Sequence, residues 1–267
     1  MGLTSYDDIF KNDEGRNTEE IKPVSIAELK PFESQPFKVL LDESMDELVD
    51  SIKQSGVLSP IIVRPHKDGG YEILSGHRRV KACELAGVDK VPAVVKDLDD
   101  DTATILLVDS NLQRENILPS EKAFAYQMKL EAMKRQGKRT DLTSRQFGEK
   151  LSVNELSENS PDSARGIHRY IRLTNLITPI LDMVDNKQLA MNAAVEISYL
   201  GSKEQSELLQ SMETEEAAPS IDQAKKIRRF SQEGKLNPDV IDSIMQEEKN
   251  EKIRITFKED RLRKYFP

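Results

Sequence analysis

The sequence predicts an α+β N-terminal domain, an all-α middle domain and a short C-terminal strand/helix element. Three observations carry that expectation. Strand and helix signals alternate over residues 21–115, helix-period patterns then run on from Pro119, and a closing β run, Ile253 to Phe257, precedes the basic end Arg261-Leu262-Arg263-Lys264. With 267 residues the chain can bury more than one core. The expected divisions are a tail at 1–20, a first domain at 21–116, a helical domain at 117–215 and a terminal element at 216–267.

Met1 to Glu20 is polar and acidic, too poor in apolar residues to pack, and is expected to be a mobile tail. Lys22 to Ile26 reads as a strand. Ser44 and Glu47 have capping-box spacing, and Met45, Leu48, Val49 and Ile52 then form one apolar face that Gly56 terminates. Two β runs, Pro60 to Arg64 and Tyr71 to Leu74, flank Lys67-Asp68-Gly69-Gly70 and predict a hairpin. Ser75-Gly76 leads into a helix from His77 to Ala86, closed by Gly87. Val91 to Val95 is a further strand, and Asp99-Asp100-Asp101 opens the next helix with acids at its positive end.

From Pro119 the pattern is helical. Ala123, Tyr126, Leu130 and Met133 line one face. Thr143 with Gln146 is a second capping box, and Ser160-Pro161 places a cap residue before proline at the first helical position. Glu213 to Ser220 reads as a linker.

Composition excludes several classes. No apolar run approaches the roughly 20 residues of a membrane span, and the N-terminus lacks a signal-peptide pattern. One cysteine, Cys83, rules out an internal disulfide framework and suits a reducing compartment such as a cytoplasm. The net charge is −8, but residues 1–115 alone sum to −9. The following stretch is net positive, and nucleic-acid affinity depends on such a local face.

Leu74-Ser75-Gly76-His77-Arg78-Arg79 sits where a strand hands over to a helix. Glycine there lets the backbone approach an anion, the first helical N–H groups point outward, and two arginines suit phosphate oxygens. A tight turn with solvated arginines accounts for these residues equally well. Cys83 lies two turns into the helix beside Val80, as a packing residue would.

These segments resemble the ParB/RepB-type family of DNA-partition proteins. Ser75 to Gly87 is similar to the family's Gly-Glu-Arg-Arg box and the helix after it, and Gln35-Pro36 to the start of its first nucleotide motif. Leu48 to Pro60 matches its helix-to-strand passage, and Asn111 to Glu115 its Glu-Asn-x-Gln-Arg box. The likeness runs in order over residues 21–135. It implies a ParB-like, sulfiredoxin-like first domain that binds CTP with Mg2+. The nucleotide-binding residues would be Gln35, Gly56, Ser75, Gly76, His77, Arg78, Arg79, Asn111 and Arg114, with Asn111 helping to coordinate the metal. It also implies a homodimer on palindromic, centromere-like double-stranded DNA, closed by CTP into a clamp, nucleoid-associated, with a ParA-type ATPase as the usual partner and a dimerisation element at 216–267.

Three positions depart from the family pattern. His77 replaces a glutamate, Phe37 an arginine, and Ser110 the glutamate of the Glu-Asn-x-Gln-Arg box. Ser110 supplies neither a carboxylate charge nor a general base, so at most slow CTP hydrolysis is expected. Sulfiredoxin-type chemistry is disfavoured because Gly76 occupies the reactive cysteine's position.

Thr143 to Asn175 resembles a helix-turn-helix: a capped helix with Phe147 and Leu151, a second helix around Glu155, and a third from Pro161. On the third, Ile167, Tyr170 and Ile171 share one side, and Arg165, His168, Arg169 and Arg172 share the other. An apolar face for packing and a basic face for a groove define a recognition helix. The expected DNA-binding residues are Arg145, Ser163, Arg165, His168, Arg169 and Arg172. Two other readings remain open: a transcription regulator that binds DNA without nucleotide, and a small-molecule kinase or nuclease on the same N-terminal fold.

Overall fold

The computed structural model describes residues 20–33, 35–114, 116–140, 148–158 and 160–247, with backbone only over 137–140 and 148–152. All of the expected tail at 1–20 except Glu20, the Thr143/Gln146 capping box, Arg145, Phe147, and the C-terminal strand and basic end lie outside the described residues.

Five strands form one mixed sheet. They are β1 (Ile21–Ser25), β2 (Leu29–Pro31), β3 (Ile61–Pro65), β4 (Tyr71–Ser75) and β5 (Lys90–Val95), in the order β1-β5-β3-β4-β2. β3 and β4 form the expected antiparallel hairpin, with Val63 opposite Ile73 and an irregularity at Ile62/Val63. β5 runs parallel to β3, and β1 antiparallel to β5. The three-residue β2, parallel to β4, is too short for alternation to reveal it.

Around the sheet stand α1 (Glu43–Ser55), α2 (His77–Ala86) and α3 (Asp100–Leu112). Met45, Val49 and Ile52 of α1 pack with Ile61, Val63, Ile73, Val80, Cys83 and Ala93 in one buried cluster. Burial pushes the Cys83 thiol up, away from a reactive thiolate. The cap of α1 is Asp42, which accepts from Met45 N at 3.0 Å, not Ser44 as the capping box predicts. Ser44 instead donates to Asp42 at 2.8 Å. The carboxylate wins because Arg78, 36 residues away in sequence, also binds it.

The helical part continues with α4 (Pro119–Thr140), α5 (Gly148–Glu158), α6 (Ala164–Leu173) and α7 (Thr178–Asp185). A second buried cluster runs from Phe37 and Leu74 through Leu106 and Leu107 of α3 to Tyr126, Leu130, Leu156 and Ile167. The sheet and α4–α6 therefore share one core, inside a compact unit spanning residues 1–187. A second unit, residues 188–267, contains α8 (Met191–Ile197), α9 (Ser202–Thr214), α10 (Ile221–Gln232) and α11 (Pro238–Met245). In it Gln223 caps its own helix start and donates to Ile244 O at 2.9 Å, locking α10 to the end of α11. The division at residue 187 falls within the span that the sequence assigns to one helical domain. Among the described residues no helix is long and apolar enough to cross a membrane.

Two helix borders differ from expectation. Leu151 and Glu155 lie on the single helix α5, not on two. The next helix starts at Ala164 with Ser163 as cap, accepting from Gly166 N at 3.2 Å, so Pro161 is not its first residue. Ser160 and Asp162 are occupied elsewhere. The Tyr126 hydroxyl lies 2.6 Å from Asp162 Oδ2 and 2.7 Å from Ser160 Oγ, and Lys122 Nζ reaches Asp162 at 2.8 Å. The phenol has one proton and the carboxylate only accepts, so Tyr126 donates to Asp162 and accepts from Ser160. Burial, then Asp162, pushes the Tyr126 phenol well above its ordinary value, which keeps that proton in place.

Replacing Tyr126 with phenylalanine removes both bonds and leaves Asp162 with one partner fewer. Unfolding free energy should fall by about 1–3 kcal/mol. Urea denaturation checks this through a lowered midpoint at unchanged slope.

Candidate functional site: a cation-lined cavity and a basic helix

The handover from β4 to α2 turns on Gly76, whose φ is 101°. A Cβ there would lie 2.6 Å from Ile61 Cγ2 and 3.1 Å from Ile61 Cβ, and Ile61 is fully buried. Only glycine combines that backbone with that approach. The N-terminus of α2 carries no side-chain cap, so its first N–H groups face outward unpaired by any side chain.

In front of this turn is a cavity of about 420 Å³. Gln35, Gly56, Ser75, Gly76, His77, Arg78, Arg79, Asn111 and Arg114 all line it, so residues from four separate stretches of sequence converge. Four of the lining side chains are cations, Lys38, Arg78, Arg79 and Arg114, and none is a carboxylate. With an uncapped helix start behind them, such a wall favours a ligand bearing several negative charges.

The arginines differ in their commitments. Arg79 Nη1 donates to Pro60 O at 2.6 Å and Ser59 O at 3.0 Å, bracing the passage between α1 and β3. Burial lowers its guanidinium from the ordinary value, yet arginine stays charged at neutral pH. Arg78 Nη2 donates to Ser44 Oγ at 2.5 Å and Asp42 Oδ1 at 3.2 Å, both exposed and exchangeable for a ligand oxygen. Hydrogen bonds from Ser44 and then Arg78 hold the Asp42 carboxyl below its usual range. Asn111 donates to Leu107 O at 2.8 Å, which fixes its amide and leaves its carbonyl oxygen to other partners. Ser110 Oγ also turns back to Leu107 O, at 3.0 Å.

Two polar atoms of the wall, Gln35 Oε1 and His77 Nε2, are buried with no hydrogen-bond partner. A buried polar group left unpaired costs about 1–3 kcal/mol, and two such groups belong to residues of this one wall. Burial, then the Arg114 charge, holds the His77 imidazole at about 4, against a partial rise from Glu72.

Sequence reasoning misses how the front wall is held. Lys38 lines the cavity, and its backbone N–H donates to Glu121 Oε1 at 2.7 Å. Glu121 is buried at the start of α4 and also accepts from Leu118 N at 3.0 Å. The 83 residues between Lys38 and Glu121 leave no local signal of that bond.

A second candidate surface is α6. Ile167 is fully buried and Tyr170 and Ile171 pack against the same core, while Arg165 and His168 are exposed and Arg169 and Arg172 half-buried. Ser163 caps this helix. Arg145 lies outside the described residues.

Residues 11–112 match the family model described as the ParB N-terminal domain. Over these residues the chain is similar to the ParB family. It is 34% identical over 187 residues to the probable chromosome-partitioning protein ParB of Neisseria meningitidis, covering 70% of this chain and 60% of that protein. It is 48% identical over 106 residues to the chromosome-partitioning protein Spo0J of Thermus thermophilus, covering 40% of this chain and 39% of that one. The chain thus spans less than two thirds of the length of these curated relatives. Among solved structures it is similar to C-terminally truncated ParB from Caulobacter crescentus complexed to the centromeric parS site. There the identity is 22% and the TM-score 0.46, over 84% of this chain and 97% of that one.

Gly76→Ala should disturb the cavity more than an ordinary glycine replacement. Gly87, also in the left-handed region with φ 72°, meets nothing within 4 Å when a Cβ is added. Gly87→Ala should cost about 1–2 kcal/mol for the backbone alone. Gly76→Ala should cost more, because Ile61 must also shift, and thermal or chemical unfolding of the two variants gives the comparison.

Proposed function

We propose that the chain is a CTP-dependent partition protein, binding a nucleotide triphosphate in the Gly76 cavity and a centromere-like DNA site through α6. The observation that carries this reading is a cavity of four cations and no carboxylate, built on an uncapped helix start, within a ParB N-terminal domain. The first N–H groups of α2, with Arg78, would hold the phosphates, and Arg79 would brace the wall behind them. Gln35 would accept a hydrogen from a ligand donor, and Gly56 and Ser75 would leave room at the mouth.

Magnesium would enter with the triphosphate. Asn111 offers a carbonyl oxygen, and magnesium commonly keeps its waters and takes few protein ligands. With Ser110 in place of an acid, CTP turnover would be slow, and nucleotide dissociation would release the clamp.

On the DNA side, α5 and α6 would act as a helix-turn-helix. Arg165 and Arg169, nearer the start of α6, would read bases in the major groove, and Arg172, His168 and Ser163 would contact the backbone. The protein would work as a homodimer on a palindromic site, nucleoid-associated, with a ParA-type ATPase as partner and residues 216–267 contributing to dimerisation.

Calorimetric titration with CTP, with and without duplex DNA, tests both halves. The reading expects CTP binding in preference to ATP or GTP, and a loss of about 1.5–3 kcal/mol in Arg78→Ala. Arg165→Ala should weaken specific DNA binding by about 1–3 kcal/mol and relax sequence preference, whereas a phosphate contact would weaken all sequences alike. No CTP affinity at millimolar concentration would exclude the nucleotide half and leave a plain DNA-binding regulator.

A further inference from the structure

His77 stands at the first position of α2, beside the uncapped helix start, with Nε2 buried and unpaired. The charged groups around it are unevenly disposed. Arg78 and Arg79 follow on its own helix, Lys38 comes from the front wall, and Arg114 from beyond α3, all lining the same cavity. The carboxylate that acts on it is Glu72 of β4. Glu72 is already bound to Arg64 by Arg64 Nε at 2.6 Å and Nη2 at 2.6 Å, so little of its charge is available to an imidazolium. Without a ligand, a proton on His77 would therefore sit in a desolvated, cationic place.

We infer that His77 takes up a proton when a polyphosphate enters the cavity that it lines, so that its imidazolium charge stabilises the bound anion. The inference rests on the nucleotide reading above and adds a regulatory property to that site. Several negative charges delivered into a cavity lined by His77 reverse the local balance and favour its charged form. The empty protein keeps His77 neutral at physiological pH, because burial and then Arg114 hold it at about 4. The loaded protein raises that value. Between the two values, binding absorbs a proton and affinity increases as pH falls. Above the loaded value the linkage disappears. Polyphosphate affinity at this site is thus tuned by pH, a property that a glutamate at this position would not confer with the same sign.

The test is calorimetric titration with CTP between about pH 6 and 8 at fixed magnesium, in buffers of differing ionisation enthalpy, for the unaltered chain and for His77→Gln. Glutamine keeps an N–H donor but does not titrate, and subtracting its behaviour removes the ionisation of the nucleotide itself. The expected result is a clear excess of proton uptake by the unaltered chain. Its affinity should also gain, relative to the variant, by up to about tenfold per pH unit, the limit for one linked proton. If His77→Gln does not fold, His77→Asn serves the same comparison. CTP binding with equal proton uptake in both proteins overturns this inference alone. Absence of CTP binding at every pH overturns it together with the nucleotide reading.

Discussion

The site depends on how closely the backbone at Gly76 passes Ile61. Ile61 is part of the core beneath α1 and α2 and has no solvent exposure, so it cannot withdraw from a side chain at position 76. That contact fixes where β4 stops and α2 begins, and hence where the unpaired N–H groups of α2 emerge. Everything else in the cavity is arranged relative to that turn. Arg79 ties it to the carbonyls of Ser59 and Pro60, Arg78 to the cap of α1, and Gln35 and Lys38 face it from a segment without regular structure.

The first turns of α4 perform a second organising task. Ser120 binds Asp185 of α7 through its backbone N–H at 2.9 Å, Glu121 holds the front wall at Lys38, and Lys122 and Tyr126 hold Asp162 just before α6. Four residues within seven positions thereby fix three neighbours to one helix. Deeper along the interface, the Lys129–Asp109 and Arg135–Asp101 pairs join α4 to α3. Burial pushes the Asp109 carboxyl up while Lys129 pulls it down, so desolvation offsets much of what the pair contributes. The cavity and the basic helix share a core for this reason, and neither is an independent lobe.

Much of this was legible in the sequence wherever the chemistry is local. Alternation gave the β3–β4 hairpin, glycines at 76 and 87 bracketed α2, and the apolar face of α6 pointed inward at Ile167. The cavity residues were found because their spacing resembles a family, not because residues 35, 56, 76 and 111 announce that they meet. What failed were choices between equivalent local signals. Asp42 and Ser44 both suit a cap, and a distant arginine decides between them. Ser160 and Ser163 both suit another, and Tyr126 decides that one by engaging Ser160 and Asp162. The unpaired atoms of Gln35 and His77 and the bond from Lys38 to Glu121 exist only after folding brings separate segments together.

On the proposed reading, the α2 N-terminus and the segment facing it form one anion site. Amide hydrogen exchange with and without CTP tests it most directly, because it reads the groups that would touch phosphate. Slower exchange is expected at His77, Arg78 and Arg79 and around Lys38, together, when CTP is added. Binding of CTP that leaves these amides unchanged and protects a different surface would contradict it.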